Sequence, residues 1–209
     1  MDDIILQLSK KVYEYYPIGL PSLNEQHPGY ESLRLIIEKK INSLIAKQET
    51  EWTRLASRVQ AQTGYTVYDQ AYEQFPNIVL RIDLGEESMR RFTVRRNVYL
   101  VVSLLTDHFT IYCDEEVLLR QGSEHRIVAR VLSKRYAPQE SFNLIKDLES
   151  TMGDMFPGHQ HVSHDLLFGV KMNGGVPHGE DQESMRRSFP LYNFLFGRFP
   201  FFEMAEIAE

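Results

Sequence analysis

The chain has 209 residues, of which 43% are hydrophobic and 25% charged, and its formal net charge is -6 at pH 7. This length and composition are typical of a globular protein with a sizeable core, and an aromatic content of 11% argues against a disordered chain. The negative charge argues against a nucleic-acid binder, which needs a basic surface to displace counterions from phosphates.

Cysteine usage and the apolar runs bear on the compartment. Cys113 is the only cysteine, so no internal disulfide can form, which favours a reducing compartment. The opening Met1-Asp2-Asp3 lacks the basic start of a secretory signal. The longest apolar run, at 98–105, is far shorter than the roughly 20 residues of a membrane-spanning helix. We therefore expect a cytoplasmic protein with no membrane partner.

Helical periodicity dominates the first third of the chain. Asp2 or Asp3 can cap a first helix that Pro17 ends. From Pro28 to Gly64 one apolar stripe continues at three- and four-residue spacing, which predicts one long helix. A break near residues 48–51 is the alternative. A projecting part of a long helix would instead offer a homo-oligomer interface, with Trp52 on its apolar stripe as a contact residue.

The periodicity changes to that of strands beyond Gly64. Apolar residues alternate with polar ones at 66–72, 78–84, 92–95, 109–113 and 126–132, and the run at 98–105 is nearly all apolar. Residues 85–88 and 106–108 predict turns. Because such short connections join antiparallel neighbours, we predict a meander of about five strands. Its apolar run predicts a central strand covered on both faces.

The last part of the chain predicts a helix followed by irregular structure. Pro138 begins the helix and Pro157-Gly158 ends it. The predicted organisation is an α+β core domain at 1–158 with an irregular segment, 159–209, packed on it. That segment ends in a stretch rich in aromatic residues, which either folds back over the body or binds a partner. The candidate contact residues in this stretch are Phe194, Phe199 and Phe202.

A cluster of imidazoles offers a candidate metal site. The potential ligands are His159, His161, His164 and Asp165. On an extended chain His159 and His161 point the same way, and His164 or Asp165 can close the site from a turn. Zinc would suit these ligands and would make the protein a metal-dependent hydrolase. The alternative is a solvated polar loop with no cofactor.

A basic cluster follows the predicted turn at 85–88. Its members are Arg90, Arg91, Arg95 and Arg96. Guanidinium groups suit phosphate or carboxylate partners, which makes the protein a candidate phosphate-ligand binder. The alternative is pairing across strands with the carboxylates at 86–87 and 114–116.

No other residue pattern indicates catalysis. The sequence has neither a phosphate-binding glycine loop nor a nucleophile elbow. We therefore expect a non-catalytic cytoplasmic protein-interaction module, such as an adaptor, an assembly subunit or an immunity-type protein. The metal-dependent hydrolase and the phosphate-ligand binder are the alternatives. If the partner is basic, the acidic run at 114–116 would steer its association.

Overall fold

The structure is a computed structural model that describes residues 2–19, 27–46, 49–70, 75–121, 124–132, 139–180 and 188–197. It confirms the α+β fold class predicted from the sequence. The described residues form six helices: α1 (Asp2–Tyr15), α2 (Pro28–Ile45), α3 (Glu51–Thr63), α4 (Gln139–Met155), α5 (His164–Gly169) and α6 (Leu191–Phe196). None of these helices combines the length and the apolar character needed to cross a bilayer.

The main sheet is the predicted antiparallel meander. Each strand pairs with the next in chain order: β1 (Thr66–Asp69), β2 (Asn77–Met89), β3 (Phe92–Ser103), β4 (His108–Gln121) and β5 (Glu124–Leu132). β6 (Gln160–His161) adds a parallel pairing beside the start of β4. β7 (Lys171–Met172) and β8 (Phe189–Pro190) form a separate two-stranded sheet.

Helices cover both faces of the sheet's central part. On one face, residues such as Leu100 and Ile111 pack with residues of α3 and α4 in one hydrophobic cluster. On the other, Val101 and Tyr112 pack in a second cluster with residues of α1, α2, α5 and α6. Because helices cover both faces there, residues 97–103 of β3 are all buried. The central strand predicted from the apolar run is present.

The single long helix expected from residue 28 to 64 is not seen, because α2 ends at Ile45 and α3 begins at Glu51. Thr50 takes an extended backbone conformation, with φ -111° and ψ 163°, and its side chain accepts a hydrogen bond from the Thr53 amide. The Thr53 hydroxyl in turn accepts one from the Thr50 amide, so the two threonines form a capping box. The predicted homo-oligomer interface required one long helix, and the structure has two shorter helices instead.

Replacing this cap tests the start of α3. We expect Thr50→Ala to lower the free energy of unfolding by about 1 kcal/mol, because the first turn of α3 loses a side-chain acceptor. Urea unfolding followed by circular dichroism measures the change. Ser57→Ala is the control, since Ser57 is exposed in the middle of α3 and should stay within about 0.5 kcal/mol of the wild type. Equal losses in the two variants would contradict the cap.

The predicted turn at 85–88 is wrong, because β2 continues to Met89 and the chain turns at Arg90 and Arg91. Gly85 lies at a bulge, where the register with β3 shifts and φ is +97°. β4 likewise continues past Cys113, where the last alternating residue was expected. In both places charged residues extend the strands because they pair with arginines on β3.

The described part of the C-terminal segment folds back onto the sheet. Carbonyl groups at the end of α6 accept side-chain hydrogen bonds from other elements: Tyr16 donates to Phe194 at 2.9 Å and Ser103 to Leu195 at 2.7 Å. Helix ends leave such carbonyls without backbone partners, so these bonds hold α6 against α1 and β3. The domain boundary at residue 158 stays a prediction. Pro138, Phe199 and Phe202 lie outside the described residues.

Candidate functional site

Apolar side chains form two adjacent rows at the end of the sheet that contains the β2–β3 turn. In the outer row Met89 pairs with Phe92, and Phe92 pairs with Leu119. In the next row Val94 pairs with Val117. Alternate strand residues lie on the same face, so the two rows share the face that α3 and α4 cover further along. We call these five residues, Met89, Phe92, Val94, Val117 and Leu119, the hairpin patch.

The hairpin patch is open to solvent. Met89 is 53% exposed and Phe92 is 43% exposed, while the other three side chains are half-buried. The patch lies outside both hydrophobic clusters of the described residues. Two other exposed aromatic rings, Tyr68 and Phe142, each lie beneath the cationic group of Arg81 or Lys146. A contiguous apolar surface of this kind is typical of an interaction site.

Two arginines border the patch. Arg90 and Arg91 form the β2–β3 turn, and both are exposed. Among the described residues, the ion pairs of this region involve Arg95 and Arg96 instead. The turn therefore presents two guanidinium groups beside an apolar surface, on a chain whose net charge is negative.

The other two predicted arginines pair across strands, which was the alternative for this cluster. Arg95 contacts Glu86 at 2.5 Å, and Arg96 contacts Glu115 at 2.9 Å and Glu87 at 3.1 Å. The hydrogen bonds to Glu86 and to Glu115 raise the pKa of the Arg95 and Arg96 guanidinium groups, respectively, above the ordinary value. The structure therefore does not present all four arginines as one open basic site, and geometric support for a phosphate ligand is lacking.

The acidic run at 114–116 does not form a steering surface either. Asp114 is fully buried and Glu116 is only 7% exposed, while Glu115 pairs with Arg96. Long-range attraction of a basic partner needs carboxylates that face solvent. The expected steering role of this run therefore has no structural basis.

The predicted metal ligands lie on different sides of the sheet. His161 Nδ1 is 3.0 Å from a carboxylate oxygen of Glu149 on α4. His159 packs its ring edge-on against Phe156, with centroids 5.4 Å apart. Both contacts are with α4 or with the residue that follows it, on the face of the sheet that α3 and α4 cover.

His164 lies on the opposite face. Its ring is buried near Tyr112, with centroids 5.9 Å apart, and the exposed Asp165 approaches its Nε2 at 3.3 Å. In the part of the chain that the structure describes, no group of three His, Cys, Asp or Glu side chains could hold a metal ion. The zinc alternative therefore has no geometric support.

The aromatic residues predicted to bind a partner lie in the interior where the structure describes them. Trp52 is 6% exposed and Phe194 is fully buried, each in a hydrophobic cluster. The apolar residues of the hairpin patch were not selected from the sequence. A signal existed, since apolar and polar residues alternate through 92–94 and residues 117–119 are all apolar. Only the pairing of β3 with β4, however, puts these two stretches side by side.

No protein-family model, no curated protein and no solved structure matches this chain. The described fold and surface define an α+β protein with a helix-covered antiparallel sheet and an exposed apolar patch at one end. Any function must therefore be argued from that geometry and its chemistry.

Proposed function

We propose that this protein is a non-catalytic interaction module that binds a protein partner through the hairpin patch. One observation carries the proposal: Met89 and Phe92 lie side by side, about half exposed, at the edge of a continuous apolar surface. Covering this surface would remove it from water, at a gain of roughly 25 cal/mol per Å² of apolar area. The patch is spread over the three strands β2, β3 and β4, and an exposed apolar surface of this kind is complementary to the surface of another protein.

The two arginines of the turn indicate which charged groups the partner's surface would carry. Arg90 and Arg91 would contact carboxylates at the border of the partner's own apolar area. A second copy of this chain fits less well, because two-fold association through the patch would bring the arginines of both copies together. We therefore propose a different protein with an apolar centre and acidic residues around it, as expected for an adaptor, an assembly subunit or an immunity-type protein.

The proposed setting is the cytoplasm. Cys113 is the only cysteine of the chain and is buried on the sheet, so it forms no internal disulfide, and a reducing compartment preserves such a thiol. Binding at the hairpin patch would leave Cys113 covered, since it lies in the cluster beneath α3 and α4.

Matched charge substitutions test the proposed surface. Proteins from the native host are captured on the immobilised full-length chain, and each retained protein is purified and titrated against three forms: wild type, Phe92→Asp and Leu6→Asp. Leu6 is an exposed apolar residue on α1, 55% accessible, so both variants place one carboxylate on the surface. We expect Phe92→Asp to weaken binding of the partner by about 30-fold or more, which is typical of an aromatic hot-spot residue in an interface.

The control separates this surface from non-specific adhesion. Leu6→Asp should bind the partner as the wild type does, and Arg91→Glu should weaken binding in a salt-dependent manner because it reverses a border charge. If every retained protein binds Phe92→Asp and wild type equally well, or if Leu6→Asp weakens binding as much, the proposed surface is wrong.

A further inference from the structure

The sequence that follows α6 has the chemistry that the hairpin patch requires of a partner. Residues 198–209 lie outside the described residues, but their sequence is largely apolar, with a glutamate at every third position from Glu203 to Glu209. Four of the apolar residues have the spacing of anchor residues on one face of a partner helix: Phe201, Met204, Ala205 and Ala208. The segment therefore combines an apolar row with three carboxylates.

The two arginines beside the hairpin patch have no acidic partner among the described residues. Arg90 and Arg91 are exposed, and neither belongs to an ion pair in that part of the chain. The nearest carboxylates in sequence, those of Glu86 and Glu87, pair with other arginines on β3. The guanidinium groups of the turn can therefore bind carboxylates from outside the sheet.

The fold prevents one copy of the chain from placing this segment on its own patch. α6 is held at the opposite end of the sheet, where the Asn77 side chain donates a hydrogen bond to the Phe196 carbonyl. Met89 lies 12 positions further along β2, which is a distance of roughly 40 Å. Phe201 can reach at most about 18 Å from Phe196 even on a fully extended chain. α6 also packs on the other face of the sheet.

We propose that residues 198–209 of one copy dock on the hairpin patch of a second copy. The apolar row covers Met89 and Phe92, and the glutamates lie against Arg90 and Arg91. The copies associate head to tail, because the segment and the patch belong to opposite ends of the sheet, and each copy can bind a further one. The arginines of the two copies stay apart, unlike in two-fold association through the patch.

This inference rests on the proposed binding role of the hairpin patch and adds a form of regulation to it. The segment of a second copy and the protein partner compete for one surface, since both cover the same apolar side chains. A higher concentration of the chain should therefore weaken the apparent affinity for the partner, and an excess of the partner should dissociate the assemblies.

Two matched variants test the docking. Phe92→Asp alters the patch, and Phe201→Asp makes the same chemical change in the segment. Sedimentation velocity of the full-length chain from about 1 to 200 μM should show a mean mass that rises with concentration for the wild type. Each variant alone should stay a monomer. An equal mixture of the two should form a dimer and nothing larger, because one intact segment then meets one intact patch. Leu6→Asp, the surface control, should associate as the wild type does.

A labelled peptide with the sequence of residues 198–209 measures the contact directly. Fluorescence anisotropy should show saturable binding to the full-length chain, at least about tenfold weaker with Phe92→Asp. A peptide with glutamine in place of its three glutamates should bind about tenfold more weakly and with less dependence on salt.

The outcomes separate this inference from the proposed function. A wild type that stays monomeric, mixed variants that do not form a dimer, or a peptide that binds wild type and Phe92→Asp equally would each overturn the inference. If a partner retained from the native host still depends on Phe92 in that case, the proposed function stands without it. If the mixed variants do associate and no retained protein depends on Phe92, the patch serves self-association and the proposed function is wrong.

Discussion

Phe194→Ala is expected to lower the free energy of unfolding by about 3–5 kcal/mol, the usual loss for a large aromatic residue in a packed core. Phe194 is fully buried and meets the ring of Tyr16 edge-on, with centroids 5.2 Å apart. The carbonyl of the same residue accepts the hydrogen bond of the Tyr16 hydroxyl. Truncation would therefore leave a cavity beside a bond that joins α1 to α6.

Phe92→Ala is the matched control for this loss, because Phe92 is the same residue type on the surface. Its ring is 43% exposed, so we expect a change within about 0.5 kcal/mol. Urea unfolding of both variants at one pH, followed by fluorescence and circular dichroism, measures the two values. The partner assay should give the opposite order, with Phe92→Ala weakening binding and folded Phe194→Ala retaining it. Similar unfolding free energies for the two variants would show that residues 189–196 are not part of the core.

Local patterns in the sequence were sufficient to predict the fold class and most of the meander. Alternating residues such as Leu80 and Ile82 pack inward as the pattern requires, and Gly64 ends α3 in the left-handed region. These features depend on neighbours within a few positions, which the sequence displays directly.

The errors arose where distant residues decide the outcome. The apolar stripe of residues 28–64 is compatible with one helix or two, and the threonine pair at positions 50 and 53 marks the break only weakly. Residues 85–88 have the composition of a turn, yet arginines on β3 pair with Glu86 and Glu87 and extend the strand. Such pairing depends on strand register, which local composition does not reveal.

The candidate site was harder to predict than the fold because composition does not distinguish a surface aromatic from a core aromatic. Phe92 and Phe194 both follow polar or proline-containing stretches, yet one is exposed and the other fully buried. Arg90 and Arg91, two of the four arginines of the predicted basic cluster, are exposed at the β2–β3 turn. The apolar residues next to them became visible as a surface only when three strands were placed in register.

Gly29→Ala should be strongly destabilising, although alanine normally favours a helix. Gly29 lies in the first turn of α2, against the end of α1, and an added Cβ would stand 2.0 Å from the Glu14 carbonyl oxygen and 2.6 Å from the Tyr15 Cα. Both obstacles are backbone atoms, so no side-chain rotation can relieve the overlap. The two helices would have to separate, and we expect a loss of about 3 kcal/mol.

Gly153→Ala is expected to change the free energy of unfolding in the opposite direction. Gly153 is exposed on α4, and a Cβ there meets nothing within 4 Å. Alanine should therefore raise the free energy of unfolding by about 0.4–1 kcal/mol, because it restricts the unfolded chain without straining the folded one. Denaturant unfolding of the two variants compares the same chemical change in two environments. If Gly29→Ala is as stable as the wild type, α1 and α2 do not approach as closely as the structure places them. The packing of Leu8 on α1 and Leu33 on α2 in the core must then also be different.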